Sequence, residues 1–125
     1  MQTKFVDGVP AAIGPYCHAM QSGNLIFCSG QTPLDPATMQ LVGDEIGAQT
    51  RQALTNLDTV LKGLGLSLQH IVKTTVFLKD MADFQGMNAV YAEMFGEHRP
   101  ARTTIAVRQN PLDALVEIEC IAELA

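Results

Sequence analysis

Two stretches near the C-terminal end of the chain hold the residues best suited to chemistry. The first is Arg99-Pro100-Ala101-Arg102-Thr103-Thr104-Ile105-Ala106-Val107. The second, after a short loop, is Leu115-Val116-Glu117-Ile118-Glu119-Cys120-Ile121-Ala122-Glu123. Arginine presents a rigid two-pronged donor that matches a carboxylate, and a glutamate nearby can take a proton from water. An arginine opening one apolar strand, with carboxylates lining the next, therefore suits anion binding joined to acid–base work. The same pair would also serve as a structural ion pair at a subunit contact, and the residues alone leave both roles open. Arg99 could help attract an anion but reads rather as a surface charge, and Glu119 and Glu123 read as solvated or interface charges. His18, His70 and His98 are scattered and form no HxH or HxxxH pair, so no metal is expected. Cys17, Cys28 and Cys120 have no CxxC spacing and read as reduced, buried thiols of a cytoplasmic protein.

Those residues must be positioned by a chain of 125 residues, 47% hydrophobic and 17% charged. One domain spanning residues 1–125 is the simplest reading, long enough to bury a core without disulfides or a structural metal. The net charge of −5 argues against nucleic acid as a partner, because phosphate binding needs a basic footprint. It leaves room for a small anion held by a local arginine. No run is long enough to span a membrane, and Met1-Gln2-Thr3-Lys4 lacks the apolar stretch of a signal peptide.

Lys4 to Val6 reads as a short edge strand, and Tyr16 to Gln21 and Leu25 to Gln31 as a hairpin turned at Ser22-Gly23-Asn24. Ile46, Thr50, Ala53, Leu54, Leu57, Leu61 and Leu64 follow helical spacing, which predicts a helix from Asp44 to Lys62 stopped by Gly63 or Gly65. The β-branched run Ile71 to Leu78 reads as a strand. A second helix, capped by Asp80 or Asp83, carries Phe84, Met87, Val90, Tyr91 and Met94 to a stop at Gly96. Strands at Thr103 to Val107 and Leu115 to Glu123 finish the chain. The expected fold is α+β, with two helices covering one face of a mixed sheet.

Period-two alternation in the last strand places Val116, Ile118, Cys120, Ala122 and Leu124 toward the helices and Glu117, Glu119, Ile121 and Glu123 on the other face. The same reading of the Ile71 strand puts Val72, Thr74, Val76 and Leu78 inside and Ile71, Lys73, Thr75, Phe77 and Lys79 outside. An uncovered face that still carries Ile71, Phe77 and Ile121 suggests association with other subunits and a ligand cleft at the seam.

Taken together, these motifs resemble the Rid/YjgF family. They are Pro10-Ala11-Ala12-Ile13-Gly14-Pro15-Tyr16, Phe27-Cys28-Ser29-Gly30-Gln31, Ile71 through Asp80, Met87-Asn88-Ala89-Val90-Tyr91, Arg99-Pro100-Ala101-Arg102 and Val116-Glu117-Ile118-Glu119. They span nearly the whole chain and are most similar to the RidA branch of enamine/imine deaminases. The resemblance implies a chorismate-mutase-like fold, a homotrimer with three inter-subunit clefts, and hydrolysis of 2-aminoacrylate and related 2-imino acids to 2-oxo acids and ammonia without a cofactor. It further implies that Arg102 binds the substrate carboxylate and Glu117 activates water. Tyr16 would line the pocket, main chain at Gly30 and Thr104 would hold the substrate, and Ser29 and Asn88 would lie nearby. Thr104 stands where the deaminases commonly carry cysteine, Asn110 where an aliphatic residue is usual, and the loop before Arg102 is short. A non-catalytic binder of small carboxylates and a chaperone-like structural trimer are the alternatives to be weighed.

Overall fold

The computed structural model describes residues 1–125. Six strands form one sheet: β1 (Gln2–Lys4), β2 (Ala19–Ser22), β3 (Leu25–Gln31), β4 (Ile71–Leu78), β5 (Ala101–Ala106) and β6 (Val116–Glu123). Helix α1 (Ile46–Lys62) joins β3 to β4, and α2 (Phe84–Phe95) joins β4 to β5. The strand order is β1-β2-β3-β6-β4-β5, so the last strand of the chain lies inside the sheet. Only β4 and β5 pair in parallel; every other neighbouring pair is antiparallel. The expected mixed sheet with two helices is therefore present.

The strand ends differ from expectation at the N-terminal side. The first strand is Gln2–Lys4 rather than Lys4 to Val6, and the second begins at Ala19, leaving Tyr16 in the preceding loop. Both helices begin later than their acidic residues suggest. Asp80 accepts a hydrogen bond from the Ala82 amide at 2.8 Å and caps a short 3-10 turn that leads into α2. At the far end of α1, Gly63 is still helical and Gly65 takes the left-handed conformation (φ +80°).

The core is built as the patterns require. Ala53, Leu54, Leu57, Val60 and Leu61 of α1 and Met87, Tyr91 and Phe95 of α2 bury against Val76, Leu78, Val116, Ile118 and Ala122 of the sheet. Truncating one of these leucines to alanine would cost about 2–5 kcal/mol. One face assignment needs correction. In β4, Ile71 is fully buried and Val72 is exposed, the reverse of the alternation reading. The pairing with β6 slips between Ile71 and Lys73, so an extra residue bulges there and turns Val72 outward. A one-residue insertion flips the face of everything on one side of it.

Buried polar residues of α1 tie down loops on the sheet. Gln49 donates to the Gly43 carbonyl (3.0 Å) and accepts from the Leu115 amide (2.8 Å). Asn56 donates to the carbonyls of Thr32 (3.3 Å) and Leu34 (3.0 Å). No helix is long and apolar enough to cross a membrane.

Candidate active site in two halves

The register decides which side of the sheet each candidate occupies. Glu117 lies opposite Phe77, and Phe77 lies beside Ile105, so all three share the face the helices leave open. Arg102 lies beside Thr74, which pairs with the buried Cys120. Arg102 and Thr104 therefore lean to the helix side. Within one chain the arginine and the glutamate are on opposite faces of the sheet, and they do not meet.

The Glu117 half is a cavity of about 670 Å³ that also takes in Tyr16, Ser29, Gly30 and Glu119. Its floor is an irregularity in the sheet. Pairing of β3 with β6 slips between Cys28 and Gln31, so Ser29 and Gly30 bulge beside Glu117. A Cβ at residue 30 would run into the Glu117 carboxylate and push it from its place. Glycine thus lets the carboxylate rest directly on main chain. Burial raises the Glu117 carboxyl above its ordinary value, the neighbouring Glu119 charge pushes the same way, and a hydrogen bond from Thr32 opposes both. A carboxylate so placed is a stronger base than one in water.

The walls of this half are loops pinned from below. His18 is buried; its Nδ1 accepts from the Val6 amide (3.0 Å) and its Nε2–H donates to the Pro10 carbonyl (2.9 Å), which anchors the loop carrying Ile13 and Tyr16. Tyr16 closes that loop by accepting from the Ile13 amide at 3.2 Å. The Ser29 hydroxyl donates to the Cys17 carbonyl at 2.7 Å. Leu112 also lines the cavity, and it and its neighbour Asp113 both hold positive φ (+56° and +57°), a costly conformation for residues with a Cβ. Asn110 fixes that turn: it is buried, and its amide donates to the carbonyls of Phe77 (3.0 Å) and Ala114 (3.1 Å). The asparagine at this position thus carries a structural task that an aliphatic side chain could not perform.

The Arg102 half is a smaller cavity, about 430 Å³, lined by Asn88, Tyr91, Ala92, Arg99, Pro100 and Arg102. The guanidinium lies 4.7 Å from the Tyr91 ring centroid and 5.6 Å from that of Phe84, with Met87 Sδ at 4.0 Å from Nη1. No carboxylate pairs with it among the ion pairs of the chain. Aromatic faces hold the cation without neutralising it, so it stays free for an anion. Tyr91 is itself fixed by Thr74, hydroxyl to hydroxyl at 2.7 Å. Thr104 lines neither cavity; its Oγ1 is buried with no hydrogen-bond partner.

The predicted residues thus fall into two groups, Tyr16, Ser29, Gly30 and Glu117 in one and Asn88 and Arg102 in the other, with Thr104 in neither. Sequence reasoning missed His18, Thr32, Tyr91 and Asn110 as supports. Tyr91 sits on an apolar helical stripe and signals only core; the other three act through loop geometry that no spacing encodes.

Two helices on one face of a single mixed sheet place the chain in the α+β class, here with a held arginine on one face and a desolvated glutamate on the other. Residues 7–124 match the family described as Endoribonuclease L-PSP, and the chain belongs to that family, also called YjgF/Rid. It is 49% identical over 118 residues to a RutC family protein of Pyrococcus horikoshii, covering 94% of each chain. It is 44% identical over 124 residues to the 2-iminobutanoate/2-iminopropanoate deaminase of Escherichia coli, covering 97% of this chain and 96% of that one. The solved structure of E. coli TdcF with bound serine superposes with a TM-score of 0.91 at 37% identity, covering 98% and 100% of the two chains.

Proposed function

We propose that this protein hydrolyses 2-imino and 2-enamino acids to 2-oxo acids and ammonia, in a cleft assembled from two copies of the chain. The observation that carries the reading is the division of the site. A free arginine and a desolvated glutamate, each in its own open cavity, lie on opposite faces of one sheet. Each half lacks what the other holds. Because β5 is an edge strand, a homotrimer whose open sheet faces pack around a common axis could set the β5 edge of one copy, with the Arg102 cavity behind it, beside the Glu117 cavity of the next. The exposed Phe27 and Ile105 on that face favour such packing.

In the assembled cleft Arg102 would take the substrate carboxylate in a two-point, charge-assisted contact and so fix the imine carbon. The substrate would react as its iminium. Glu117 removes a proton from water as the oxygen attacks that carbon and the C=N π electrons move to nitrogen, giving a neutral carbinolamine. Glu117 then gives that proton to nitrogen; as the C–N bond breaks, the hydroxyl oxygen becomes the carbonyl and its proton passes through Glu117 to the departing ammonia, leaving the 2-oxo acid and ammonium. An enamine such as 2-aminoacrylate first takes a proton from solvent at its terminal carbon to become that iminium. The relatives' names support this reaction class, and the serine bound by TdcF supports a small amino-acid-like ligand. Glu117 and Glu119 would repel a phosphodiester backbone, which disfavours RNA cleavage at this site.

The test is complementation. Imine is generated by an amino-acid oxidase, and loss of semicarbazide-trapped imine is followed. Arg102→Ala and Glu117→Ala should each lower the rate at least a hundredfold. Refolding the two inactive variants together should restore part of it, because a mixed oligomer contains cleft halves from both. Wild-type protein that leaves spontaneous hydrolysis unchanged would sink the enzymatic reading in favour of a carboxylate-binding trimer. Two inactive variants that never restore activity when refolded together would sink the shared cleft.

A further inference from the structure

The Arg102 cavity holds a second cation that the reaction above does not use. Arg99 lines the same space, three residues back, where the chain leaves α2 and enters β5. Its Nη1 donates to the carbonyls of Gly96 and His98, which pins the guanidinium at the rim. The chain carries 13 carboxylates against 8 lysines and arginines, yet neither Arg99 nor Arg102 has one within ion-pair distance. Glu93, on the same helix, is taken by Arg51 at 2.9 Å. Both arginines act electrostatically on the Tyr91 hydroxyl, opposing the effect of its burial. Two like charges facing one cavity repel each other, and a ligand with two negative groups relieves both at once. Asn88, also in the lining, adds an uncharged donor and acceptor.

We infer that this cavity takes a dicarboxylate: Arg102 binds the carboxylate next to the reacting carbon, and Arg99 binds a second one at the far end of the ligand. The inference rests on the reading of Arg102 as a carboxylate anchor and adds a substrate class to it. The preferred imines would then be those of acidic amino acids, supplied by reactions that oxidise or dehydrogenate a dicarboxylic amino acid at its α-carbon.

Isothermal titration of the intact protein with 2-oxoglutarate and 2-oxobutanoate separates the possibilities, because the two differ in the far carboxylate. The dicarboxylate should bind about tenfold more tightly, the gain of one extra charge-assisted contact. Arg99→Gln removes the charge while keeping a polar amide, so the ratio of the two dissociation constants should fall to about one. Arg99→Lys should retain part of the preference, and raising the salt concentration should shrink it in the wild type. A preference that survives in Arg99→Gln, or no preference in the wild type, overturns the inference. So does inorganic phosphate competing as well as 2-oxoglutarate, which would mark an unspecific anion site. Those failures leave Arg102-dependent binding of 2-oxobutanoate intact; loss of that dependence would instead remove the reading beneath.

Discussion

Glu117 is the residue whose environment makes the clearest demand. Its carboxyl is raised above the ordinary range, chiefly by burial, so the folded chain holds that proton more tightly than the unfolded chain does. Between the two values the native state binds more protons, and stability falls as pH rises through that window. Above it the cost of the buried charge is present in full; below about pH 4, where the unfolded chain is protonated too, it is absent. Glu117→Gln should therefore raise the urea midpoint at pH 8 and leave it unchanged near pH 4, while abolishing turnover at both. A variant equally stabilised at the two values would show that shape, not charge, sets the effect. The chemical aptness of Arg102 and Glu117 was legible from residue type and from the alternation in β6. That they face opposite ways was not. β5 reads Thr103-Thr104-Ile105-Ala106, with no polar and apolar faces to tell apart, and only pairing with β4 assigns its sides.

At the scale of elements, helices and central strands were readable because a 3.6-residue or two-residue period over many positions outweighs local exceptions. The exceptions are where the site lies. Ile71 and Val72 are both β-branched, so nothing in their types announces the bulge that exchanges their faces. The bulge at Ser29-Gly30 and the strained turn at Leu112-Asp113 likewise come from tertiary register rather than propensity. Asn110 holds that turn through two hydrogen bonds that converge from β4 and the approach to β6. Asn110→Ala should cost about 2 kcal/mol, read as a lower denaturant midpoint at unchanged slope, because two carbonyls lose their donor. Asn110→Leu, which fills the space without a donor, should not restore it. Full stability in either variant would assign the positive φ values to the turn residues themselves.

For the whole molecule the open sheet face is the governing feature. Phe27 and Ile105 are 42% and 43% exposed, and half-buried Phe77 and Ile121 lie between them on the same face. A charge placed among them should block self-association while sparing the core, which lies on the other side. Phe27→Glu should lower the mass measured by light scattering toward the 13.5 kDa of one chain, with the helical circular dichroism intact. On the shared-cleft proposal catalytic rate should fall with it, since a lone copy would present only half-sites. A monomeric variant that turns over at the wild-type rate would place the whole reaction within one chain.

The strand order has a further consequence, in time rather than in space. β6 is the last of the six strands to be synthesised, yet it is the seam between β1-β2-β3 and β4-β5. Until it is available, two sheet fragments exist with nothing to join them, each exposing a raw inner edge. The seam closes only by pairing residues about a hundred positions apart with others about fifty apart, such as Leu25 with Glu123 and Ile71 with Ala122. This topology favours a late, concerted closure of the sheet over progressive folding. The strand that carries Glu117 is also the one that makes a nascent chain into a protein.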